Sequence, residues 1–365
     1  MTGGMAMGRG AGLCAGLLGL LLAALPVFGL GLAPGLPVYA VNAIGQVMCF
    51  ALLAMSVDLM WGAAGVLSLG HGLFFALGGY IAAMHLLRTA YAATGVLPDF
   101  LLFMGEKAFP AWWGFADSAV LTALAVLAVP ALLAFAFGYV SFRSRVNGVY
   151  FFIITQALTY TAMLLMFRND TGFGGNNGMT GFRDIAGLPA GGAASAVLLA
   201  AAATAAVLGA LLGGRALLST RFGRLLAAIR DDEPRLRFLG YDTLWLKLAA
   251  WCLSASLAAV AGALYVPQVG IINPGLLDPA LSLEIAVWVA VGGRGGLVGA
   301  ILGAVLVNLL KFWLAGAAPA LWPFVLSLLV LGVVLLLPNG LLDLRNRSRS
   351  WLTDMAAALP GQARR

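Results

Sequence analysis

The stretch Val38–Met60, VYAVNAIGQVMCFALLAMSVDLM, holds one charged side chain, Asp58, in 23 residues. Its apolar residues run continuously instead of falling on every second position. About 20 such residues cross the hydrocarbon of a bilayer as a helix, whereas a barrel strand needs only about 10 and alternates. The stretch therefore predicts a membrane-spanning α-helix. Similar runs surround it at Gly12–Leu32, Ala64–Leu87, Ser118–Val140, Gly148–Phe167, Ala193–Leu212, Leu248–Val266, Ala280–Val291, Leu297–Phe312 and Leu321–Leu337. Charged residues make up 10% of the chain, far below the roughly 25% of soluble domains, and mean hydropathy is +0.99. The expectation is an all-α integral membrane protein, a polytopic bundle of about ten transmembrane helices forming one domain over residues 1–365. Ala280–Val291 is short enough that it either spans or re-enters.

The distribution of Lys and Arg orients this bundle. With ten crossings and a cytoplasmic N-terminus, 16 of the 21 basic residues fall on the cytoplasmic side and five, Arg88, Lys107, Arg168, Arg183 and Lys311, on the other. That is positive-inside ordering, with both termini in the cytoplasm. The net charge of +7 thus follows from topology, and no nucleic-acid partner is needed to explain it. Gly12–Leu32 is too long for the core of a signal peptide and is expected to persist as a helix. Cys14, Cys49 and Cys252 sit inside apolar runs without metal-ligand spacing.

Between two of the runs lies Arg221–Lys247, RFGRLLAAIRDDEPRLRFLGYDTLWLK, with ten of the 35 charged side chains. This island is expected to stand in water on the cytoplasmic side. Phe222, Leu225, Leu226 and Ile229 form one stripe at helical spacing, opposite Arg221, Arg224 and Arg230, so the first piece should lie on the membrane surface. Asp231, Asp232 and Glu233 are cap-type acids, Pro234 suits a first helical turn and Gly240 a stop, so Pro234–Leu239 reads as a second short helix. A helix–break–helix of this kind offers a partner a rigid, charged knob.

Glycine is the other organising residue, 48 in all, dense at Gly62–Gly79 and Gly292–Gly303. Gly295, Gly299 and Gly303 at four-residue spacing allow close helix packing. The two segments also read as matching interrupted helices of two inverted repeats, which in transporters flank a midplane solute path. On the outer side, Arg88–Asp117 carries Trp112 and Trp113 and is expected at headgroup level. Arg168–Leu188, with Asn176 and Asn177, reads as a surface turn or a solute entrance.

No catalytic constellation is visible. The only lysines are Lys107, Lys247 and Lys311, none after a glycine, so the phosphate-binding G-x-x-x-x-G-K-[ST] is absent and any ATP must be hydrolysed by another subunit. His71 and His85 form no metal set, and G-x-S-x-G is missing, so neither an enzyme nor a bound cofactor is expected. Candidates for a solute path are the few polar groups within apolar runs: Ser68, His71, Gln156, Thr159 and Glu284. Each also has a plain structural reading. Glu284 either meets a solute or pairs with Arg294, and Asp58, near the cytoplasmic boundary, reads as structural.

The chain resembles the permease subunits of bacterial ABC importers for branched-chain amino acids and urea. The likeness rests on WGAAGVLSLGHGLFFALGGY at Trp61–Tyr80, FRSRVNGVYFFIITQALTY at Phe142–Tyr160, FRNDTGFGGNNGMTGFRDI at Phe167–Ile185, the island, and LYVPQVGIINPG with WVAVGGRGGLVGA between Leu264 and Ala300. The wording of FRND-GFGGNNG, ITQALTY and YVPQVGIINPG resembles the larger permease of the urea importers. The resemblance implies transport across the bacterial inner membrane together with a second permease subunit, two ATP-binding-cassette ATPases and a periplasmic solute-binding protein. It also implies that the island is the loop coupling permease to ATPase. Arg224, Ala227, Ile229, Arg230, Glu233 and Gly240 fall on the loop motif, with Arg221, Asp231 and Arg235 beside them. Rivals are a branched-chain amino acid as solute, and, in another class, a passive channel or ion-coupled carrier.

Overall fold

The computed structural model describes residues 37–103, 108–146, 148–336 and 340–341, so the run Gly12–Leu32 and both chain ends lie outside the described residues. Among the described residues the long helices follow in order: α1 Val38–Ala64, α2 His71–Thr94, α3 Ala119–Arg143, α4 Val149–Phe167, α5 Ala193–Ser219, α6 Arg221–Phe238, α7 Thr243–Val269, α8 Pro279–Gly292, α9 Leu297–Ala317 and α10 Trp322–Leu336. Among the described residues α1–α5, α7 and α9 are long and apolar enough to cross a membrane. The chain is an all-α polytopic membrane protein, and each apolar run within the described residues contains a helix.

The stretch Val38–Met60 forms the centre. From Val47 to Met60 every residue of α1 is buried, which is why its sequence is apolar on all sides. It packs against α5, α7 and α9, while α2 and α7 form the most extensive pair in the bundle. Those two approach closely because glycines face backbone. A Cβ on Gly262 would lie 1.8 Å from the Phe75 carbonyl oxygen, and one on Gly78 2.0 Å from that of Ala259. By contrast α3, α4 and α10 present exposed leucines and phenylalanines outward, as lipid-facing helices do.

Two ends of the bundle are distinguishable. At one, α6 lies against the turns joining α1 to α2 and α8 to α9. At the other, β1 (Met179–Thr180) pairs antiparallel with β4 (Ile271–Ile272), binding the loop after α4 to the loop after α7, while β2 (Asp184–Ile185) pairs with β3 (Leu188–Pro189). Helix α8 joins the two ends in 14 residues, about 21 Å of helix. It does so inside protein, with Glu284, Ile285, Trp288 and Val289 buried.

Several boundaries differ from expectation. The run Ala64–Leu87 is not one helix: Gly65–Gly70 is non-helical, and α2 begins at His71 and continues to Thr94. The surface turn after α4 is instead held by strands. Trp113 is fully buried, packed against the rings of Phe100, Phe109 and Trp112, while Trp112 is half-exposed.

Candidate functional site

The charged island folds as a helix with a kink. Asp232 has φ −159° and ψ 88°, which splits α6 into two helical pieces. Its side chain caps the second piece by accepting from the Arg235 N–H at 3.0 Å, and Pro234 needs no donor there. Gly240, at φ +88°, ends it. The expected stripe is buried, but in the body of the protein and not at a membrane surface: Leu226 and Ile229 join the core, with Phe222 and Leu225 packed on it. Arg221, Arg224, Asp231 and Arg235 remain exposed. Beside them stand apolar residues whose role charge counting missed: Phe238, Leu239 and Tyr241 are 92%, 70% and 50% exposed at the tip.

The island is not wholly in water. Lys247 is fully buried, over the Phe142 ring at 5.1 Å, and its ammonium donates to Glu233 at 2.8 Å. The same Glu233 Oε1 accepts from Thr243 Oγ1 at 2.8 Å and from the Arg237 guanidinium at 2.5 Å. Burial pushes the Glu233 carboxyl up, yet the donors Lys247, Thr243 and Arg237 outweigh it and hold the group below the usual carboxylate range. This knot fastens the second piece of α6 to the first turns of α7.

The first piece is fastened to the glycine turns. Arg230 donates to the Gly62 carbonyl at 2.8 Å, and the Gly295 N–H donates to Asp58 Oδ1 at 2.8 Å. No side chain fits between them, since a Cβ on Gly62 would sit 2.2 Å from Asp58 Oδ1 and 2.5 Å from the Gly295 nitrogen. Asp58, Gly62, Gly223, Ala227, Arg230 and Gly295 line a cavity of about 170 Å³ at this junction. Both glycine-rich segments thus meet α6 at one place.

Within the bundle, the Ser68–Gly70 backbone is held from α4. Thr155 Oγ1 accepts from the Leu69 N–H at 3.1 Å, and Thr159 Oγ1 lies 3.4 Å from the Leu69 carbonyl. Both hydroxyls are therefore already used, whereas the Gln156 amide between them has no partner on either atom. His71 Nε2 lies 2.6 Å from Ser254 Oγ, which donates to the Ser56 carbonyl. Glu284 pairs with Lys311, through both carboxylate oxygens at 2.9 Å, and not with Arg294. The reason is position: Glu284 and Lys311 both lie toward the β1–β4 end, while Arg294 is in the opposite turn, over Trp61. Asn176 and Asn177 are exposed in a short 3-10 turn of the other end, remote in sequence from these groups.

A model of the family described as branched-chain amino acid transport system / permease component matches residues 39–338. The chain belongs to that family. It is 26% identical to the high-affinity branched-chain amino acid transport system permease protein LivM of Salmonella typhimurium LT2 over 73% of this chain and 62% of that protein. It is likewise 26% identical to LivM of Escherichia coli K12, over 71% of this chain and 60% of LivM. The autoinducer 2 import system permease protein LsrC of Salmonella paratyphi B is 33% identical over 42% of this chain and 48% of LsrC. The chain thus spans about three fifths of the length of the LivM relatives it matches. No solved structure matches it.

Proposed function

We propose that this chain is a permease subunit of an ATP-driven importer that carries urea across the bacterial inner membrane, with both termini in the cytoplasm. Its partners in this reading are a second permease, two ATP-binding-cassette ATPases and a periplasmic solute-binding protein. The observation that carries the reading is the joining of α6 to both glycine turns. An ATPase gripping the exposed tip Phe238–Tyr241 and the flanking Arg221, Arg224, Asp231 and Arg235 would move a kinked but firmly knotted element. The Arg230–Gly62 hydrogen bond would pass that movement to the last turn of α1, and the Gly295–Asp58 bond would carry it from α1 to the turn before α9, rocking the helices around an internal path.

Urea is favoured as solute by the chemistry of the interior. The carboxylates within the bundle are engaged, Glu284 by Lys311 and Asp58 by Gly295, and the polar groups with unpartnered atoms, His71, Gln156 and Ser282, suit a neutral partner. A zwitterionic amino acid would need charges for its carboxylate and its ammonium. The similarity to the LivM proteins is the observation on the side of a branched-chain amino acid. Uptake of radiolabelled urea and leucine by nitrogen-starved cells, with and without a clean deletion of this chain, separates the two. Loss of urea uptake alone is the expected result, and unchanged urea uptake refutes the assignment.

A further inference from the structure

Two buried polar atoms, on residues that line the same narrow space, have no partner. One is Nδ1 of His71, a residue 1% exposed, and the other is Oγ of Ser282, 3% exposed. Both residues line a narrow seam between the start of α2 and the first turns of α8, together with Val57, Ser68, Gly72 and Ile285. The tautomer of His71 follows from its neighbours. The Ser56 carbonyl can only accept, so Ser254 spends its single proton there at 2.5 Å, and its oxygen must accept from His71 Nε2–H. Nδ1 is then a bare acceptor. Ser282, with its hydroxyl proton uncommitted, supplies a donor on the facing helix.

An unpaired acceptor and an unpaired hydroxyl in a dry interior are both unfavourable, so the pair calls for a reason. The space is too tight for a water to satisfy them as it stands. Gly72 keeps the two sides apart without filling the gap: a Cβ there would come 3.0 Å from Ser282 Oγ. The α2 side of the pocket follows on the Gly65–Gly70 break, which begins just after the last turn of α1, where Gly62 accepts from Arg230, and α8 ends in the turn that holds Asp58. Movement at α6 therefore acts on both walls.

We infer that His71 and Ser282 are the two lips of a solute constriction, closed in this structure, which take a small neutral amide between them as it passes. An amide N–H donates to His71 Nδ1 while its carbonyl accepts from Ser282 Oγ–H, replacing two missing bonds at once. The inference rests on the urea-permease reading and adds to it the side chains that contact the solute.

The test uses the whole importer, with its partner permease, ATPases and binding protein, in proteoliposomes. Radiolabelled urea uptake and binding-protein-stimulated ATP hydrolysis are measured together. Ser282→Ala removes the donor, and His71→Gln keeps an N–H for Ser254 while removing the Nδ1 acceptor. Each variant should lower urea carried per ATP hydrolysed about tenfold, the effect of one hydrogen bond of about 1.4 kcal/mol, while hydrolysis stays within twofold of wild type. Retained hydrolysis shows that the assembly is folded and coupled. Wild-type uptake per ATP in both variants overturns the constriction and leaves the urea assignment standing. A wild-type importer that carries leucine and no urea overturns the urea assignment and the amide contact with it.

Discussion

Replacing Glu233 by Gln removes the negative charge from the group that accepts from Lys247, Arg237 and Thr243. The fully buried ammonium of Lys247 then loses the carboxylate charge it meets at 2.8 Å. Removing one member of a buried ion pair typically costs 3–5 kcal/mol, and the Phe142 ring 5.1 Å away returns about 1. Glu233→Gln should therefore destabilise the protein by about 3 kcal/mol. The decisive comparison is Glu233→Gln with Lys247→Met, in which no buried charge is left over. Replacing such a pair by neutral groups of similar volume is often close to neutral, so most of the loss should be recovered. Equilibrium unfolding of the four proteins in mixed detergent micelles gives the cycle, with a coupling of about 2 kcal/mol or more expected. If the double variant is no more stable than Glu233→Gln alone, the knot does not hold α6 to α7, and the transmission argument loses its anchor.

Because the Glu233 carboxyl is held below its ordinary 4.5, its stabilising contribution is complete above that pH and fades as pH falls through the lower folded value. Unfolding titrations below pH 4.5 should show wild type losing stability more steeply than Glu233→Gln. Gly62→Ala places a Cβ 2.2 Å from Asp58 Oδ1 and should cost about 1–3 kcal/mol of strain at the junction. In the assembled importer it should uncouple ATP hydrolysis from uptake, while Gly209→Ala, with nothing within 4 Å, leaves both unchanged. Lys311→Met leaves the buried Glu284 without its partner and should lower the yield of monodisperse protein on size exclusion. Adding Glu284→Gln should restore it.

The helices were legible because hydrocarbon demands long continuous apolar runs, and nine such runs within the described residues became helices. The kink in α6 was legible too, since Asp231-Asp232-Glu233-Pro234 combines capping acids with a residue that cannot donate. What the pattern hid were burial and pairing. Lys247 looks like another solvated charge until Glu233 is placed 2.8 Å away. Glu284 finds Lys311, 27 residues along the chain, because both lie toward the same end of the bundle, which composition does not encode. The Gly65–Gly70 segment lies in an apolar run yet is not helical. Its backbone is bonded by Thr155 and by Ser68, so hydropathy alone reads it as part of a span. Of the candidate solute groups, Ser68 and His71 do line one pocket; the residue opposite them, Ser282, carried no signal in a run rich in Leu and Val.

The central claim is that work from an ATPase enters through α6 and moves solute through this bundle. Proteoliposomes containing the full importer, compared with proteoliposomes of this chain alone, test it directly. Urea uptake should require ATP and the partner subunits and should be abolished, together with ATPase co-purification, by charge reversal at Arg230 or Glu233. Urea flux through this chain alone, without ATP and unaffected by those reversals, would contradict the account and identify a passive channel.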